Sequence, residues 1–127
     1  MADRYLYIGT TSGEYILSSS TGTGAITPLD FLCRRSTGYG SARIMPVQLG
    51  SVVIFVQKGG TCIRELSYRW ESDSLVAPDL TIMSEHLFKD TPAVEMALTK
   101  IPDPHVYVVR DDGQIAVLAY LKEHEVV

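Results

Sequence analysis

The three histidines are the side chains in this sequence best suited to binding a transition metal. They are His86, His105 and His124, each 19 residues from the next. Zinc ligands usually include a close pair, such as two histidines separated by three residues, and the sequence contains no such pair. We therefore interpret all three as ordinary structural histidines and assign no metal-binding residue.

The acidic residues and the cysteines also lack the partners that chemistry requires. Asp111 and Asp112 precede Gly113, but Gln114 and the apolar residues after it do not supply the alternating oxygen ligands and terminal Glu of a calcium loop. Cys62 has no candidate base near it in the sequence, and it occupies a core position of the repeat described below. We assign no catalytic residue.

Glycine pairs at 22–24 and 38–40 resemble fragments of a phosphate-binding loop. Neither has a third glycine or a following Lys-Ser/Thr pair, and the sequence contains no Gly-x-Ser-x-Gly elbow. We therefore expect no cofactor and no bound metal. These absences argue against an enzyme, for which no convergent set of residues is available.

Composition excludes further classes of function. The 127 residues carry a net charge of −4, and their Lys and Arg residues are scattered, which disfavours nucleic-acid binding through a basic stripe. The longest apolar run, 52–56, is too short to cross a bilayer, and no secretion signal is evident. Cys33 and Cys62 are expected to be reduced thiols.

Three segments of the chain resemble one another, and they indicate the elements that organise the molecule. Segments 5–17, 52–64 and 105–117 each join two β-branched or aromatic runs through a glycine turn. The turn glycines are Gly13, Gly60 and Gly113, which are 47 and 53 residues apart. Each turn dipeptide tolerates the positive φ angles of a two-residue type I′ hairpin. The period is that of a propeller blade.

The wider pattern predicts a mainly β, antiparallel fold in propeller-like blades. The predicted strands are 4–9, 14–19, 31–36, 42–48, 52–57, 62–68, 93–99, 106–110 and 115–120. Polar fourth segments follow at 69–74 and 122–127, which gives two and a half to three blades in one β-rich domain, residues 1–127. Apolar runs 52–56 and 106–109 predict strands covered on both faces.

One short helix is expected between the blades. Asp79 is a suitable N-cap after Pro78, and Leu80, Met83 and Leu87 fall on one helical face. The sequence therefore predicts an inserted helix at 80–88.

Several short motifs resemble a family of bacteriophage and prophage tail proteins, the ring-forming hub or nozzle components of short tails. The motifs are YIGTTSGEY at 7–15, SSS at 18–20, GSVVIFVQKGG at 50–60, which includes FVQKGG, IRELSY at 63–68, APDLT at 77–81, SEHL at 84–87 and VRDDGQ at 109–114. Members of that family are longer, so the resemblance implies a segment of a longer tail protein. It also implies a non-catalytic structural role, with a place in the virion tail after assembly in the bacterial cytoplasm.

The partners implied are other copies of this chain and other tail proteins. An incomplete propeller leaves strand edges that recruit partners, and the predicted edge contacts are Glu125, Val126 and Val127. The alternative is a ligand- or protein-binding adaptor domain of propeller type. Its binding loop would combine residues 18–24 with 38–41.

Overall fold

Ten strands form three small antiparallel sheets in the computed structural model, which describes residues 6–19, 26–69, 74–101 and 103–119. The strands are β1 Leu6–Thr10, β2 Gly13–Ser18, β3 Leu32–Thr37, β4 Val47–Leu49, β5 Val52–Val56, β6 Ile63–Arg69, β7 Ser74–Val76, β8 Ala93–Thr99, β9 His105–Arg110 and β10 Ile115–Ala119. The mainly β prediction is confirmed. No sheet within these ranges closes on itself.

The sheets follow one another along the chain. Sheet 1 has the order β1-β2-β3, sheet 2 the order β4-β5-β6-β7, and sheet 3 the order β10-β9-β8. Each of the three repeated segments forms a hairpin, namely β1–β2, β5–β6 and β9–β10. The hairpin prediction is therefore correct for all three segments.

Sheet 2 lies between the other two sheets because β5 is apolar on both faces. Ile54 packs against Val106 and Val108 of sheet 3, while Phe55 packs in a second cluster with Ile16 of sheet 1. Both Ile54 and Phe55 are almost completely buried. The prediction that 52–56 is covered on both faces is confirmed, and β5 is the central strand of the molecule.

The same prediction for 106–109 is correct for one face only. Val106 and Val108 are buried against sheet 2, whereas Tyr107 and Val109 on the opposite face are half-buried. Strand β9 has a packing partner on one side, since sheet 3 is the last of the described sheets.

Two sequence predictions fail where the chain crosses between sheets. The predicted strand 42–48 is reduced to β4, because Pro46 has no amide proton and residues 43–46 leave the ladder of β5. The predicted helix 80–88 is reduced to a 3₁₀ turn at Glu85–Leu87. Its expected first turn instead joins β6, since the Leu80 amide donates to the Ile63 carbonyl at 2.8 Å.

The predicted fourth segment at 69–74 is displaced along the chain. The fourth strand of sheet 2 is β7, which begins at residue 74 and pairs with the end of β6. The equivalent segment at 122–127, with the predicted edge residues Glu125, Val126 and Val127, lies outside the described residues.

Candidate functional site

Main-chain hydrogen bonds tie the hairpin of sheet 1 to the hairpin of sheet 2 through the linker between the sheets. The Ser41 amide donates to the Thr10 carbonyl at 2.7 Å, and the Lys58 amide donates to the Gly40 carbonyl at 3.1 Å. Gly40 has a φ of +87°, and a Cβ there would lie 2.7 Å from the Thr11 carbonyl oxygen. Only glycine fits this crossing without strain.

The next linker repeats the arrangement between sheets 2 and 3. The Ala93 amide donates to the Gly60 carbonyl at 2.9 Å, and the Asp111 amide donates to the Pro92 carbonyl at 2.9 Å. Lys58 and Asp111 occupy the same position in their repeats, two residues before the turn glycine. The hairpin turns and linkers therefore gather at one end of the sheets in a repeated pattern.

The three turn glycines have different roles. Gly60 and Gly113 have φ angles of +79° and +83°, as a hairpin turn requires. Gly13 is the first residue of β2 and lies outside the left-handed region, so its predicted place in the turn is wrong. The two-residue turn there is Thr11 and Ser12. A Cβ at Gly13 would lie 2.8 Å from the Thr37 carbonyl oxygen, so close approach of β3 explains this glycine.

In the other two hairpins, the predicted two-residue turn is replaced by a longer loop. The β9–β10 loop has three residues, closed by a bond from the Arg110 amide to the Gln114 carbonyl. A three-residue loop ending in a left-handed glycine is a common hairpin form. The Gln57 amide bonds the Cys62 carbonyl around a four-residue loop, in which Gly59 and Gly60 both have positive φ.

A buried carboxylate joins sheet 1 to the first linker. Glu14 is fully buried and accepts hydrogen bonds from the Thr37 hydroxyl at 2.5 Å and from the Ser41 hydroxyl at 3.0 Å. Tyr7 donates to Ser41 over 3.2 Å, and its ring lies 5.9 Å from that of Phe55. Burial, with the nearby Glu14 charge, raises the pKa of Tyr7 to about 12, so the phenol is neutral at physiological pH.

The adaptor alternative relied on a loop combining 18–24 with 38–41. Residues 20–25 lie outside the described part of the chain. Gly40 and Ser41 bond to the neighbouring hairpins, and Tyr39 is fixed over Arg64, whose guanidinium carbon lies 3.6 Å from the ring centroid. Arg64 also donates to the Ala77 carbonyl at 2.7 Å. Segment 38–41 thus connects sheets 1 and 2.

Burial and the neighbouring Asp79 make the Cys62 thiol less reactive, and they outweigh the opposite effects of Arg64 and Thr81. Its Sγ lies 3.4 Å from Oδ2 of Asp79. Burial and the hydrogen bond to Asp79 raise the pKa of the thiol, so the nucleophilic thiolate is disfavoured. Burial acts to raise the pKa of Asp79, but hydrogen bonds from the Thr81 hydroxyl and amide help to bring it below its usual value.

The other candidate ligands are dispersed. His86 lies in the 3₁₀ turn, His105 begins β9 and bonds the Asp103 carbonyl through Nδ1, and His124 lies outside the described residues. Asp112 forms a 3.0 Å salt bridge with Arg110 and caps the hairpin turn. Among the described residues, no three potential metal ligands cluster together. The same ranges contain no helix long and apolar enough to span a membrane.

Two apolar sheet faces are exposed in the described part of the chain, and neither was predicted from the sequence. The outer face of sheet 3, called here the forward face, carries Tyr107, Val109, Ile115 and Val117. The outer face of sheet 1, called the backward face, carries Leu6, Ile8, Tyr15 and Leu17. Alternation along strands 6–10 and 115–119 is the signal that identifies them.

Comparison with known proteins adds no assignment to this geometry. The chain matches no protein-family model, and no curated protein matches it.

Proposed function

We propose that this chain is a non-catalytic structural component of a bacteriophage or prophage tail, in which each small sheet is a propeller-like blade. The observation that supports this best is the stacking of three similar sheets through apolar faces, with repeated main-chain contacts at one end. Such a module functions by packing against neighbours, as the subunits of an assembled particle do.

The motifs that resemble tail proteins also have structural roles in this arrangement. FVQKGG includes the end of β5 and its turn, and Gly60 of that motif contacts the second linker. Arg64 of IRELSY bonds Ala77 and stacks on Tyr39, while Asp79 of APDLT bonds Thr81. Motif residues that stabilise a scaffold are consistent with a structural protein.

The polar side chains support a role without catalysis. The pKa of the Cys62 thiol is raised, and Asp79 and Asp112 accept local hydrogen bonds that stabilise loops. Glu14 is buried among hydroxyl donors inside the stack. None of these groups has the combination of access and activation that a nucleophile or general base requires.

Detection of the protein in virions tests the assignment. Particles would be purified from the bacterium that carries the gene, after phage infection or prophage induction, and examined by mass spectrometry and immunogold electron microscopy. We expect the protein in intact particles, with gold at the tail. Heads from a mutant that cannot attach tails are the matched control and should lack it. A protein confined to the particle-free fraction would contradict the proposal.

A further inference from the structure

The forward face of sheet 3 is apolar and accessible. Ile115 and Val117 of β10 are 60% and 56% exposed. They lie directly beside Val109 and Tyr107 of β9, which are half-buried. These four side chains form a continuous apolar surface of the kind that marks an interaction site.

The backward face of sheet 1 has the same character. Leu6 and Ile8 of β1 are 52% and 37% exposed. They pair across the strands with Leu17 and Tyr15, which are half-buried. The two end faces of the stack therefore both present β-branched, leucine and aromatic side chains.

The repeat identifies the forward face as one half of a contact that the chain already makes. When the turn glycines are aligned, Tyr107 and Val109 of sheet 3 correspond to Ile54 and Val56 of sheet 2. Ile54 and Val56 are buried against sheet 3.

The backward face is the other half of that contact. In the same alignment, Leu6 and Ile8 of sheet 1 correspond to Val53 and Phe55 of sheet 2. Val53 and Phe55 pack in the cluster that joins sheet 2 to sheet 1. Forward faces pack on backward faces between the described sheets, and among these sheets one face of each kind remains exposed.

We propose that the forward face of sheet 3 docks on the backward face of sheet 1 of a second copy of this chain. The chain carries both halves of one type of contact, so a second copy supplies the matching surface. Glu95 lies on β8 at one margin of the forward face, and Arg35 lies on β3 at the opposite margin of the backward face, so these two side chains do not meet when β9 is placed over β1. The contact is head-to-tail, and such contacts build rings or filaments.

This inference deepens the assembly role proposed above, and its test is independent of the phage context. Analytical ultracentrifugation of the purified chain should show a mass that increases with concentration past the dimer. Val117→Glu blocks the forward face and Ile8→Glu the backward face. The dissociation constant for self-association of each variant should increase by a factor of about a hundred or more, because docking would bury an unpaired carboxylate.

Mixing the two variants gives the most specific result. Val117→Glu retains an intact backward face and Ile8→Glu an intact forward face, so a one-to-one mixture should form a dimer and stop there. Met83→Glu, at a side chain that is 90% exposed and lies outside both faces, is the control and should associate like the unchanged chain. Circular dichroism confirms folding, and Ile115→Glu and Leu6→Glu replace any variant that unfolds.

Three results would overturn the proposal. They are a monomeric unchanged chain at every concentration, variants that associate like the control, and a mixture that forms no dimer. Association that persists in both variants would assign self-contact to strand edges instead. Presence or absence of the protein in virion tails changes none of these outcomes, so the two proposals fail separately.

Discussion

Individual residues in this protein matter most where the chain passes from one sheet to the next. Gly60 illustrates the point, because its positive φ closes the β5–β6 turn while its carbonyl accepts from Ala93 in the following linker. A Cβ at Gly60 would lie 2.7 Å from the Cβ of Pro92. The position is restricted both by its backbone angle and by the neighbouring side chain.

Gly60→Val is expected to destabilise the chain more than Gly113→Val. Both changes place a β-branched residue at positive φ, which costs about 1–3 kcal/mol. The contact with Pro92 adds overpacking of about 1–3 kcal/mol at Gly60 only, since nothing lies within 4 Å of a Cβ at Gly113. Urea unfolding of both variants measures the difference. Equal losses would mean that the Pro92 contact is relieved without cost.

The pKa of Asp79 predicts acid sensitivity. Because this pKa is lowered in the folded chain, the carboxylate stabilises the fold above the unfolded pKa, and that contribution is lost as the pH falls through the folded pKa. Asp79→Asn should cost about 1 kcal/mol or less near pH 7, and the gap from the unchanged chain should shrink below about pH 4. Thermal melts of both proteins across this pH range measure the difference in their stability. A gap independent of pH would contradict the assignment.

Among the elements, β5 is the one on which both cores depend. Its even-numbered residues Val52, Ile54 and Val56 face sheet 3, and Phe55 faces sheet 1. The sequence predicted this strand correctly, because a five-residue apolar run bounded by glycine turns is typical of a buried strand and is too short for a stable helix.

Truncations on either face of β5 should therefore be comparably damaging. Ile54→Ala is expected to cost about 2–5 kcal/mol and Phe55→Ala about 3–5 kcal/mol, since each leaves a cavity in a different core. Met83→Ala, at an exposed side chain, should change stability by less than about 0.5 kcal/mol. Chemical denaturation provides all three values. A mild effect at either β5 position would show that its core is loosely packed.

Two predictions from the sequence were wrong or incomplete, and each has a physical reason. A helical pattern at 80–88 was outweighed by a tertiary hydrogen bond, because Leu80 pairs with Ile63. Met83, on the expected apolar face, is 90% exposed. Short segments have weak intrinsic helix stability, so one such contact decides their conformation. The two end faces were missed because alternation shows that a face is apolar without showing what covers it.

At the scale of the whole molecule, the three sheets differ in how much of their surface is buried. Sheet 2 contributes to both cores, whereas sheets 1 and 3 contribute to one each. Stability in such a stack depends on contacts between neighbours, so the middle sheet should open last.

Native-state hydrogen exchange measures this order. Amides of β5 and β6 should exchange most slowly, through global unfolding, and those of β1 and β10 should exchange faster through local opening. The experiment is best done with a variant that blocks docking, such as Val117→Glu, so that self-association does not protect the end sheets. Uniform protection across all strands would instead indicate that the three sheets unfold together.

The linker contacts have a consequence for how such a chain evolves. They join main-chain atoms, so these contacts between successive sheets depend on the backbone at Gly40 and Pro92 rather than on the identity of surface side chains. Residues on the solvent side can therefore diverge while these main-chain contacts are retained. Duplication of a whole period, from one linker to the next, would extend the structure by one step without a new fold.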